Sequence, residues 1–258
     1  MLELHDVSRQ FGGLAALSGV NMLVPRGRVV GLIGPNGAGK TTLINLISGL
    51  DHPTGGTITL GGTPIHGLPP HQIARRGIAR TYQNIRMFAD LTALENLLVA
   101  QHAQGKASAL EALIFAPRYR SEEKALRDHA RHLLERFHLA DKADQRAGNL
   151  PYGDQRRLEI ARALATRPAL MLLDEPTAGM NPIETEELGE QILRLREDGI
   201  TVLVIEHDMA LIAQVCQEVY VLNFGQIIAH GTHEAIKANP LVVQAYLGEE
   251  EEETGGAA

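Results

Sequence analysis

The chain holds a single cysteine, Cys216, so an internal disulfide is excluded and a reducing compartment fits. No apolar stretch approaches the roughly 18 residues that a membrane-spanning helix needs. The first residues, Met1–Asp6, lack a basic start followed by an apolar run, so no signal peptide is expected. Positive charge is scarce as well. The net charge is −7, and five of the negative charges sit in the terminal run Glu249–Glu253, without which the balance is −2. A nearly neutral body lacks the phosphate-neutralising surface that nucleic acid demands, and that partner class drops out. Any membrane association is expected to pass through a partner.

What is present reads as an ordinary globular chain of 258 residues, 44% hydrophobic and 21% charged. That length suits one large core with a smaller attached lobe. Short apolar runs alternate with helical patterns, the mark of an α/β fold with parallel strands. Arg28–Ile33, Ala169–Leu173 and Ile200–Ile205 are apolar almost throughout, as central parallel strands should be. Val20, Met22 and Val24 alternate with more polar neighbours, and Thr57–Leu60 alternates between glycine pairs, so an antiparallel sheet is expected near the N-terminus. Asn181-Pro182 with Glu184 predicts a capped helix start, and Gly199 its end. Strand signals vanish between about residues 84 and 166, which predicts a helical lobe. Within it, Ser121 is expected to begin a helix with the stripe Leu126, Ala130, Leu133, Leu134 and Phe137. The acidic end, 249–258, is expected to be disordered.

Gly34-Pro35-Asn36-Gly37-Ala38-Gly39-Lys40-Thr41 is a complete phosphate-binding loop between a predicted strand and a helix. Its glycines let backbone N–H groups turn inward, and the helix presents its positive end to phosphate. Lys40 would reach the β- and γ-phosphates, the Thr41 hydroxyl would ligate Mg²⁺, and Thr42 completes the nucleotide-binding stretch. The strand ending in Asp174-Glu175 places two carboxylates beyond the sheet's carboxyl edge, where α/β proteins bind ligands. Asp174 is placed to hold Mg²⁺ through water, and Glu175 to act as general base or water-positioner. Gln83 follows the predicted strand Ile78–Tyr82 and could reach Mg²⁺ and the attacking water. His207 ends the strand Ile200–Ile205 and could contact the γ-phosphate. Read alone, Gln83 would be a surface residue and His207 a structural one. His129 and His132 lie one helical turn apart, but no third metal ligand accompanies them.

The segment Leu150-Pro151-Tyr152-Gly153-Asp154-Gln155-Arg156-Arg157 resembles the signature of ABC (ATP-binding cassette) ATPases, usually Leu-Ser-Gly-Gly-Gln. The resemblance implies a P-loop NTPase core with a mainly parallel sheet, an antiparallel β subdomain and an inserted helical subdomain, over residues 1–248. It also implies that ATP is sandwiched between two subunits, with Leu150–Asp154 capping the partner's nucleotide. Phe11 would take the place of the aromatic that stacks on adenine, with a core phenylalanine as the alternative. Ala178–Pro182 looks like the loop through which paired subunits sense each other. Pro151 replaces the usual serine and so lacks both a hydroxyl and a backbone N–H. Asp154 replaces glutamine and is expected to set a carboxylate near phosphate. Both changes are expected to weaken the site this segment completes.

Phe11–Gly13, Arg80–Gln83, Glu95–His102, Ala112–Arg120, Arg156–Arg162, Glu206–Asp208 and Ala245–Gly248 look like the LivG-type subunit of branched-chain amino acid importers. That resemblance implies a second ABC ATPase as partner (a heterodimer favoured, a homodimer possible), two transmembrane permease subunits and, indirectly, a periplasmic or extracellular substrate-binding protein. It places the chain at the cytoplasmic face of the cell membrane. The segment from Asn84 to about Leu98 would receive a permease helix on exposed Ile85, Met87 and Phe88, though ordinary lobe packing fits those residues too. A soluble ABC ATPase and a lipid- or lipopolysaccharide-export ATPase remain the alternatives. Cargo is not legible in the ATPase.

Overall fold

The computed structural model describes residues 1–102 and 117–246. Part of the Ala112–Arg120 stretch, the end of Ala245–Gly248 and the acidic 249–258 run lie outside the described residues. Among the described residues, ten strands form two sheets. The first is antiparallel, in the order β2-β1-β4-β5, from β1 (Leu2–Phe11), β2 (Leu14–Val24), β4 (Gly55–Leu60) and β5 (Thr63–Pro64). The second has the order β10-β9-β3-β8-β7-β6. Its members are β3 (Val29–Ile33), β6 (Ile78–Arg80), β7 (Leu170–Asp174), β8 (Thr201–Ile205), β9 (Glu218–Asn223) and β10 (Gln226–Gly231). All its pairings are parallel except β9 with β10.

The expected central strands are β3, β7 and β8, each buried along its whole length. Their alternate residues feed two cores. Val30, Leu32, Leu172 and Leu203 face one side with Leu43, Ile44 and Ile47 of α1 (Lys40–Ser48) and the inner face of the antiparallel sheet. Val29, Ile33, Met171, Leu173 and Val204 face the other, with the helices. Each such aliphatic side chain removed from water stabilises the fold by about 1.5–3 kcal/mol before entropy is counted. The β1 strand escapes a period-two reading because Asp6, at φ 51, breaks the register between Leu4 and Val7.

The remaining helices are α2 (Pro70–Arg75), α3 (Ala93–Gln101), α4 (Pro117–Arg136), α5 (Tyr152–Ala165), α6 (Pro182–Glu197), α7 (Met209–Val215) and α8 (His233–Lys237). The helices α3, α4 and α5 pack on one another, and the interval from Asn84 to Thr166 contains no strand among the described residues. The described part of α4 opens at Pro117, so Ser121, expected to begin the helix, lies inside it. The expected stripe is otherwise in place: Ala130, Leu133, Leu134 and Phe137 are buried, and Leu126 is half-buried. The α6 start carries the anticipated capping box, with Asn181 accepting from Ile183 and Glu184 and Glu184 accepting from the Asn181 N–H. No described helix is long and apolar enough to cross a membrane.

Candidate nucleotide site

The phosphate loop leaves the carboxyl end of β3 and runs straight into α1. Gly34 passes so close to β9 that a β-carbon there would lie 2.0 Å from the Leu222 carbonyl oxygen. Pro35 and Ala38 are buried beneath the loop, while Asn36, Gly37 and Thr41 are exposed and Thr42 is half-buried. The Ala38 carbonyl accepts from Gly225 N at 2.9 Å, tying the loop to the β9–β10 turn. Gly39, at φ 105, begins α1, whose first turn carries no acidic residue and no side-chain cap. Uncapped first-turn N–H groups at a positive helix end suit an anion. The Lys40 ammonium folds back to donate to the carbonyls of Gly34 and of Pro35, the latter at 2.7 Å.

Beside the loop, β7 delivers Asp174 nearly buried, with Oδ2 2.9 Å from the Arg80 guanidinium. Arg80 also donates to Asn45 Oδ1 at 2.7 Å and Ser48 Oγ at 2.9 Å, bolting β6, β7 and α1 together. Glu175 follows at φ 46, a left-handed conformation rare for a side-chain-bearing residue. Its N–H donates to Ile205 O at 2.9 Å, and its Oε2 accepts from Gln83 Nε2 at 2.8 Å. Gln83 and Glu175, 92 residues apart, are thus joined at the crevice. His207 stands beyond β8 with its side chain 67% exposed. Its neighbour Glu206 is fully buried, accepting from Thr177 N–H and hydroxyl through one oxygen and from the His207 and Asp208 N–H groups through the other. The loop after Glu175 and the loop after β8 are therefore pinned to one carboxylate.

The signature segment opens α5. Leu150 is buried, Pro151 is the N-cap, and Tyr152 lies over Gly179, where a β-carbon would come 2.7 Å from its ring. Gly153 packs against Glu184. Asp154 departs from expectation. Its side chain is 3% exposed and paired with Lys142 and Arg157, so its charge is neutralised inside the subunit and not offered to phosphate. Burial alone would raise its pKa, but hydrogen bonds and charge from Lys142 and Arg157 prevail and hold it below the usual carboxylate value. Phe11 also resolves an open alternative. It is 48% exposed, so it is no core residue. The Arg9 guanidinium stacks 4.4 Å from its ring centroid and is itself held 2.8 Å from Asp51.

Comparison with known proteins shows the family. Residues 17–178 match the family model of the ABC transporter, and residues 226–252 match that of the branched-chain amino acid ATP-binding cassette transporter. The chain belongs to the ABC transporter ATP-binding family. It is 50% identical over 250 residues to the high-affinity branched-chain amino acid transport ATP-binding protein BraF of Pseudomonas aeruginosa, covering 96% of this chain and 98% of that one. LivG of Escherichia coli K12 is 48% identical with the same coverage. Among solved structures, the ADP conformation of MJ1267, an ATP-binding cassette of an ABC transporter, superposes with TM-score 0.84 at 34% identity, over 96% of this chain and 99% of that one. The protein is accordingly an ATPase, the nucleotide-binding subunit of a transporter whose permease lies in other chains.

Within this cassette three structural anchors went unpredicted. Arg80, Arg156 and Glu206 stand in the sequence only as members of family-like stretches, with no role of their own. Nothing in their spacing announces burial, because it depends on strands distant in sequence. The apolar docking residues also need correction. Phe88 is exposed, but Met87 packs against the core and Ile85 is half-buried. A groove of about 370 Å³ opens between β6, α2 and the helical lobe, lined among others by Arg80, Tyr82, Ala100, Glu159 and Arg162.

Proposed function

We propose that this cassette hydrolyses ATP in a site completed by a second cassette and so powers import of branched-chain or related hydrophobic amino acids. The observation that carries the cargo class is the near full-length 50% identity to BraF, a branched-chain amino acid transport protein. In this reading the loop N–H groups from Gly34 to Thr42 cradle the phosphates, and Lys40 exchanges its carbonyl contacts for phosphate oxygens. Adenine stacks on Phe11, whose ring Arg9 already holds in place.

Attack on the γ-phosphate is by water. Glu175 orients it and accepts its proton, Gln83 steadies that carboxylate through the 2.8 Å hydrogen bond, and His207 contacts the γ-phosphate. The oxygen donors Thr41 Oγ, Asp174 and the Gln83 amide oxygen form a hard set that suits Mg²⁺. Arg80 already neutralises Asp174 Oδ2, which favours a water-mediated role over direct ligation. The ion, when bound, would neutralise charge on the β- and γ-phosphate oxygens.

The Leu150–Asp154 segment caps the partner's ATP through the α5 N-terminus and the exposed Pro151 and Tyr152, while Asp154 stays buried behind them on Lys142 and Arg157. The surface around Tyr82 and the exposed Phe88 receives a cytoplasmic helix of the permease, and the subunit then sits on the inner face of the membrane. The pair is a heterodimer with a related cassette, and a substrate-binding protein acts outside. Co-purification of the tagged chain from gently solubilised native membranes tests this. Two polytopic membrane proteins and a second small ATPase are expected. Recovery from the soluble fraction with no membrane partner would overturn the importer reading and leave the ATPase standing.

A further inference from the structure

The α5 helix carries an arginine with no exposed surface, Arg156. One of its terminal nitrogens donates to the Tyr82 carbonyl at 2.6 Å and to Glu159 Oε2 at 2.9 Å. The other donates to the Gln83 carbonyl at 3.0 Å and to the Glu175 carbonyl at 2.8 Å. Glu159, also buried, spends its second oxygen on the Tyr82 and Arg86 N–H groups, at 3.2 and 3.4 Å. The backbones of Gln83 and Glu175 are thus clamped by one guanidinium, while their side chains bond to each other at 2.8 Å. The result is a closed ring: guanidinium, Gln83 carbonyl, Gln83 amide, Glu175 carboxylate, Glu175 carbonyl.

A buried ion pair is a poor source of stability, since apolar residues of similar volume do as well or better. Its use here is geometric. A planar fork can address several carbonyls at once in fixed directions, which an ammonium cannot. One of those carbonyls belongs to Glu175, which sits at φ 46 and has no glycine's freedom to hold that turn unaided.

We propose that Arg156 is a positioning residue for hydrolysis, setting the Glu175 carboxylate and the Gln83 amide in register from behind. This rests on the reading of Glu175 given above. Because Arg156 belongs to α5, a displacement of that helix changes the register directly.

The test measures phosphate release against ATP concentration for the assembled transporter carrying wild type, Arg156→Lys, Arg156→Gln/Glu159→Gln, or Glu175→Gln. ATP affinity and melting of each isolated full chain are measured alongside. Both Arg156 variants should keep KM and ATP affinity within about twofold while kcat falls about 10- to 100-fold, the signature of a misplaced group. The double variant leaves no unpaired buried charge. Should it fail to fold, Arg156→Lys decides alone. Unchanged kcat, or a kcat loss matched by an equal loss of ATP affinity, would overturn the proposal. If Glu175→Gln hydrolyses ATP normally, the reading of Glu175 itself falls. If Glu175→Gln is inactive and Arg156→Lys is normal, only the positioning role falls.

Discussion

Asp154 and Phe11 show how far a residue's meaning depends on its neighbours. As a letter in the signature, Asp154 threatens phosphate with a negative charge. In place, Lys142 and Arg157 consume that charge, and its lowered pKa makes it a stabilising group. The sign follows from the direction of the shift. Stability from Asp154 is full above the ordinary carboxylate value of 3.8 and is lost as pH falls through its lower folded value. Asp154→Asn should therefore cost about 2 kcal/mol at neutral pH. Denaturant melts at stepped pH should show that cost shrinking only in the acid range. Phe11 is the converse case, a hydrophobic residue left half-exposed with one ring face taken by Arg9. A Phe11→Ala chain should bind ATP more weakly by about 0.5–1.5 kcal/mol, up to roughly tenfold in Kd. Titration with a fluorescent nucleotide checks it; an unchanged Kd removes Phe11 from the adenine site.

The helix starts of this molecule are told apart by their caps. The α6 helix has its full capping box from Asn181 and Glu184. The α1 helix has no side-chain cap, leaving its N–H groups for an anion. The α5 helix also lacks one, because Pro151 stands at the N-cap without a hydroxyl. Placing a serine there should stabilise the helix by about 1 kcal/mol and add a hydroxyl and a backbone N–H at its start. If the α5 N-terminus limits the composite site, Pro151→Ser raises ATPase activity in the assembled complex. A rise in melting temperature without a rise in turnover would show that the proline does not weaken the site.

At the scale of the whole molecule, a sheet with a core on each face holds the phosphate loop, Asp174-Glu175 and His207 at one edge. If that edge closes against a second cassette around ATP, Glu175→Gln should accumulate an ATP-bound pair. Size-exclusion chromatography with MgATP, alone and with the related cassette, should move that variant to dimer mass while Lys40→Ala stays monomeric. Glu175→Gln remaining monomeric with both would count against the sandwich. The sequence by itself determined the chemistry whose signals are local. A glycine-rich turn between a strand and a helix, a strand ending in two acids and a capped helix start can each be read within a dozen residues. It also determined the central strands, because burial on both faces writes itself as an unbroken apolar run. Only the tertiary structure decided what depends on pairs far apart in the chain. Such pairs are Arg80 with Asp174, Gln83 with Glu175, Arg156 with the carbonyls of both loops, and Glu206 with Thr177. A charged residue reads as exposed in one dimension, and it becomes buried only when a partner from another strand or helix satisfies it.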